Sequence, residues 1–203
     1  MKRLVPILLA AAFLAVPAFA VITEHPSEPT APVPHAGDRI GILLMPERYA
    51  DASDLRIVDH VRRYLREELR DAGFRSFDAA MTYDDLHRHD DQNADYYIEI
   101  VGADASSREH DLGNISDNHA SVELALSVKR VAAAIRIYDG KSLELLHTYD
   151  LKAKSRAVVP TDVSVGVRGF IAWIAVPIIE HAQFRAAAHD VAEDAVRLIR
   201  KAE

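Results

Sequence analysis

Apolar and polar positions alternate most clearly along residues 120–139. Val122, Leu124, Leu126 and Val128 stand between Ser121, Glu123, Ala125 and Ser127, and Ile135 and Ile137 flank Arg136. A period of two puts each set on its own face of a strand. Asp139-Gly140-Lys141 supplies a turn, after which Leu143, Leu145, His147 and Tyr149 share one face of a returning strand, with Leu151 beyond. Strand, tight turn and strand predict an antiparallel hairpin.

The period changes elsewhere. Leu55, Val58, Val61, Leu65 and Leu69 recur every three or four residues, which is one face of a helix over 55–72. Ser53 or Asp54 can cap its start, and Gly73 suits the position that ends it. The opposite face carries Arg56, Arg62, Arg63, Arg66 and Arg70. Acids interleaved with these make it a solvated, ion-paired face. A second helical pattern runs from His181 to Lys201, with Ala188, Val191, Ala195, Leu198 and Ile199 together and Arg197, Arg200 and Lys201 in its last turn. Short apolar runs predict strands at Arg39–Pro46, Phe74–Ala79 and Ala94–Ala105, and Ala80–Leu86 predicts a helical turn. Residues 87–93, 106–118 and 158–169 read as loops, the second of them mobile. The apolar run Gly169–Ile179 reads as a core segment or an exposed apolar patch, in which Pro177 would kink or end a helix. The predicted fold class is α+β: a mixed sheet of about four to five strands with two main helices packed on one face. The strand–helix–strand start implies a right-handed crossover.

Residues 1–20 have the layout of a cleavable signal peptide. Lys2 and Arg3 precede an apolar run that ends in Ala18-Phe19-Ala20, a small-x-small cleavage site. The run is shorter than a bilayer-spanning helix requires, so no transmembrane segment is expected after cleavage. Pro26, Pro29, Pro32 and Pro34 mark 21–38 as a Pro-rich disordered linker. Residues 39–203 are then a single domain. The chain has no cysteine, which excludes disulfides, thiolate metal sites and lipid acylation. A free periplasmic protein is the expectation.

Charge narrows the partners. The net charge is −7, and no basic cluster is visible along the chain. This argues against nucleic acid and against simple electrostatic binding to anionic lipid. No nucleophile elbow, zinc-protease or phosphate-loop pattern is present, so neither catalytic residues nor a cofactor are assigned and the expectation is a non-enzyme. Two constellations remain. His87 and His89 lie in a run of aspartates, and His110 and His119 follow in the next predicted loop; if the loops met, these imidazoles could hold a borderline divalent metal. Phe170, Trp173 and Ile174 would anchor a partner if the apolar run were exposed.

One resemblance reaches these residues. Asn93-Ala-Asp-Tyr-Tyr-Ile-Glu-Ile is similar to the "GADYLIEG" strand of bacterial envelope proteins related to the curli-secretion lipoprotein. Ala134-Ile-Arg-Ile-Tyr-Asp-Gly-Lys-Ser-Leu-Glu-Leu resembles their "lRlvDvkTGeil" hairpin. Related folds occur in the lipoprotein activators of penicillin-binding proteins and in the N-terminal domain of TolB. The resemblance implies a fold and an envelope compartment over about 39–201. It implies no transport, because no pore-forming hairpin is found here, and it transfers no catalytic residue. The function expected is a non-enzymatic periplasmic binding or adaptor protein that engages an envelope protein or itself, with the histidine metal site as the alternative.

Overall fold

The helical period of 55–72 becomes α1 (Leu55–Asp71), which buries Ile57, Val58, Val61, Leu65 and Leu69. Asp54 caps it by accepting a hydrogen bond from the Arg56 backbone N–H. Gly73, at φ +94°, ends it. The Phe74 N–H reaches back to the Leu69 carbonyl and the Gly73 N–H to that of Arg70, so the last carbonyls are satisfied in a Schellman arrangement. Phe74 and Leu69 are both buried in the same core, which fixes the exit direction of the chain.

The computed structural model describes residues 21–24, 33–88, 93–117, 120–163 and 166–201. Among these, six strands form one mixed sheet: β1 (Val21–Glu24), β2 (Arg39–Ile42), β3 (Arg75–Asp78), β4 (Tyr96–Asp117), β5 (Ala120–Asp139) and β6 (Leu145–Val163). Their order is β1-β6-β5-β4-β2-β3. β2 is parallel to both β3 and β4, and the remaining pairs are antiparallel. A short helix α2 (Tyr83–Leu86) starts in a capping box of Thr82 and Asp85, and α3 spans Gly166–Lys201. The main core lies between α1, α3 and one sheet face. There Ile40, Ile42, Ile98, Ile100, Ile135 and Ile137 meet Leu65, Leu69, Ala188, Val191 and Ala195. The α+β expectation holds: five strands fall within 39–203, and the two long helices share one face.

The differences are instructive. Residues 106–118 were expected to loop, yet β4 continues to Asp117 against β5. Ser106, Arg108, Glu109, His110 and Asp111 are exposed, so this half of the strand lacks the apolar alternation that marks a buried one. Likewise β6 runs on to Val163 rather than ending in a loop near 158. Helix α3 starts at Gly166 and passes through Pro177, which removes one donor from its ladder without ending it. Part of the expected linker is structured: Val21–Glu24 pairs with Tyr149–Lys152, because edge pairing uses backbone groups and needs no apolar pattern. Its other described end packs as well, with Pro34 buried and the Tyr96 hydroxyl donating to the Val33 carbonyl. At the hairpin, a register shift between Ile137 and Tyr138 separates the expected apolar row. His147, Tyr149 and Leu151 face the main core, Leu143 joins a second cluster with Tyr138, and Leu145 is exposed.

Candidate binding surface

β4, β5 and β6 hold 22, 20 and 19 residues. Strands of three to ten residues are usual. At about 3.3 Å per residue, β4 spans roughly 70 Å. The three strands therefore run past the body as an arm. β2 pairs with β4 only at Tyr96–Ile98, and the last backbone contact on that edge is the Asp54 N–H to the Ala103 carbonyl. From Asp104 to Asp117 this edge has no strand neighbour among the described residues. β6 is flanked by β1 only at Tyr149–Lys152.

One face of the arm belongs to α3. The register places Ala105, Val131 and Ala153 in one row, then Ser107, Lys129 and Ser155, then Glu109, Ser127 and Ala157, then Asp111, Ala125 and Val159. The β5 and β6 members of these rows are all buried, and most are small enough for a helix to lie close. Ile179 packs on Ala125, Ala157 and Val159. A polar seam sits in this interface: the Lys129 ammonium donates to Ser107 Oγ at 2.5 Å and to Glu180 Oε1 at 2.6 Å, beneath the Phe184 ring. The Gln183 amide donates to the Ser127 carbonyl at 3.2 Å. Lys129 is 3 % exposed, so its pairing is what makes its burial tolerable.

A second polar group lies on the opposite sheet face near α2. Glu99 is fully buried and accepts a 2.6 Å hydrogen bond from the Tyr138 hydroxyl at Oε2, while Oε1 has no partner. Arg136 stands 3.9 Å from the same carboxyl group and reaches the Tyr49 hydroxyl at 3.5 Å. Burial and the hydrogen bond to Glu99 push the Tyr138 phenol well above its ordinary range, so it keeps its proton and donates. Tyr49 is shifted the other way, mainly by its hydrogen bond with Arg48. Tyr83 stacks on Tyr138 with ring centroids 4.1 Å apart.

Of the histidines considered as metal ligands, the two that are described, His87 and His110, stand far apart. His87 packs edge-on against Tyr83, beside Tyr138 and its cross-strand partner Tyr97. His110 is thirteen residues further along β4, roughly 40 Å away. His89 and His119 lie outside the described residues. Phe170, Trp173 and Ile174 fall in the first third of α3, and their side chains are outside the described set. The arginines of α1 are in part ion-paired, Arg62 and Arg66 both reaching Asp78.

A constellation not singled out from the sequence lines the α1–α3 groove. His60 meets His181 at 5.6 Å between ring centroids, Arg185 donates to the Tyr64 hydroxyl, and His189 lies 3.0 Å from Glu68. Residues 60, 64 and 68 thus pair with 181, 185 and 189, an i, i+4, i+8 match that is visible in the sequence only once the helices are known to lie side by side. Burial is the main cause that lowers the His60 pKa. His189, Asp190 and Glu193 bring ligand atoms within 4.8 Å of one another, with the imidazole Nε2 engaged by Glu68 and Nδ1 turned toward Asp190.

No helix among the described residues is long and apolar enough to cross a membrane. No family model and no curated protein matches the chain. Among solved structures, it is similar to the PelC dodecamer from Paraburkholderia phytofirmans at 10 % identity and TM-score 0.40, over 90 % of this chain and 96 % of that one. It is also similar to uncharacterized lipoprotein B from Nitrosomonas europaea at 17 % identity and TM-score 0.38, over 80 % and 82 % of the two chains. Likenesses at these scores carry no inference about this chain, and they do not single out the families that its hairpin sequence resembles.

Proposed function

We propose that this chain is a non-enzymatic adaptor of the bacterial envelope, exported to the periplasm, which holds an envelope protein or a second copy of itself by strand addition on the free edge of β4. The observation that carries the reading is the length of that edge: β2 leaves β4 after Ile98, and the strand continues to Asp117. An unpaired edge offers backbone donors and acceptors in a row, and main-chain bonds to an added strand supply affinity. Asp104, Arg108, Glu109 and Asp111 guard the edge against indiscriminate pairing and set the charge pattern a partner must match. The signal-like residues 1–20 and the absence of a catalytic frame support the export and the non-enzymatic part of the reading. The apolar start of α3, with Phe170, Trp173 and Ile174, is a second contact candidate.

Site-specific photocrosslinking in intact cells tests this. A photoreactive residue at Ser107, Glu109 or Asp111 is expected to capture one dominant protein, or the chain itself. A probe at Glu67 on α1 serves as the control. Capture at the β4 positions no stronger than at Glu67 would refute strand addition.

A further inference from the structure

The rows on the arm's other face point away from α3. They read Asp104, Ala132, Lys152; then Ser106, Arg130, Lys154; then Arg108, Val128, Arg156; then His110, Leu126, Val158. Five cations therefore gather on one face of three adjacent strands, with Asp104 the one acid in these rows. In a chain of 24 basic and 31 acidic residues, that is a strong segregation. Arg108 and Lys152 are exposed, and Arg130, Lys154 and Arg156 are partly exposed. None of the five makes an ion pair with a described residue, and the Arg130 Nε has no hydrogen-bond partner. Toward the tip the same face turns apolar, through Leu126, Val158 and Leu124, all partly exposed, and Leu112, unpaired at the bulge between Asp111 and Gly113, is 54 % exposed.

We infer that this face binds an anionic phospholipid surface, with the cations at headgroup level and the leucine-bearing tip entering the interface. The occupant follows from the two halves together. Clustered Lys and Arg attract phosphate-bearing headgroups, and their aliphatic stems can lie along the apolar side chains beside them. Partly exposed apolar side chains at Leu124, Leu126 and Val158, with the exposed Leu112, add burial that a soluble polyanion would not reward. Nucleic acid fits less well, because none of these rows carries an aromatic ring on which a base could stack. This reading departs from the expectation drawn from charge along the chain, because the cations come from three separate stretches and only alternate residues of each reach the face. The inference does not rest on strand addition: Asp104 and Arg108 border both the face and the β4 edge, but Lys152, Lys154 and Arg156 lie on β6, away from that edge.

Sedimentation of the purified full chain with phosphatidylcholine vesicles, with and without phosphatidylglycerol, tests it. Because no protein partner is present, the outcome does not depend on the strand-addition reading. Binding is expected only with phosphatidylglycerol and should weaken with added salt. At about fivefold per cation removed, the double variant Lys154→Gln, Arg156→Gln should lose roughly 25-fold in affinity. Leu112→Ser should weaken binding and leave its salt dependence intact. An unchanged urea midpoint confirms that each variant is folded. Equal binding to both vesicles, binding to neither, or an unaffected double variant would overturn the inference. So would capture of polyphosphate or an oligonucleotide without vesicle binding, which would assign the face to a soluble polyanion.

Discussion

Tyr138→Phe removes the hydroxyl that hydrogen-bonds Glu99, the fully buried carboxyl group of the second sheet face. The ring stays, with its stacking on Tyr83, so the change isolates the hydroxyl. Glu99 would lose the hydrogen bond at Oε2, and Oε1 already lacks one. Arg136, at 3.9 Å, is too far to replace it. Leaving a buried acceptor unsatisfied costs about 1–3 kcal/mol, and more when it is charged. The expected loss is about 2 kcal/mol, equivalent to roughly 4–8 °C in Tm for a domain of this size. Urea denaturation of the wild type, Tyr138→Phe, Glu99→Leu and the double variant measures it as a cycle. Replacing both partners with apolar groups removes the orphaned acceptor, so the double variant should be more stable than Tyr138→Phe alone. Arg136 tolerates the loss of Glu99 because its side chain is 35 % exposed. A Tyr138→Phe loss below about 0.5 kcal/mol, the size of an ordinary surface effect, would refute the reasoning.

Three further outcomes are expected. Gly140→Ala should destabilise by about 3 kcal/mol in the same assay, because a Cβ there would stand 2.1 Å from the Ala94 carbonyl oxygen. Gly37→Ala, at φ +98° with nothing within 4 Å, should cost only about 1 kcal/mol. His147 is buried, and burial pushes its imidazole below the ordinary value of 6.5. The unfolded chain therefore takes up the proton first, so stability should be intact above pH 6.5 and decline below it. His147→Gln should lessen the difference between urea midpoints measured at pH 7.5 and about pH 5.5. A residual decline is assigned to His60, which is shifted in the same direction.

Local signals determined much of this protein. The spacing of Val58, Val61, Leu65 and Leu69, the Asp54 cap and Gly73 specified α1, because a helix is built from contacts within four residues, although Leu55 is exposed and Ile57 is buried in its stead. Asp139 and Gly140 specified the hairpin turn: Asp139 Oδ1 accepts from the backbone of Lys141 and Ser142, and Gly140 alone fits against residues 94–95. The reach of β4 and β6 was not legible. A strand's hydrogen bonds belong to its neighbour, and residues 106–114 carry the polar composition of a loop until β5 lies beside them. The same holds for the surfaces. Arg108, Arg130 and Lys154 are scattered in sequence, and His87 and His110 are near enough in sequence to invite a common site. Pairing register brought the first set onto one face, and strand length carried the second set apart, because side-chain direction and distance along a sheet are set by which residues face each other across the strands.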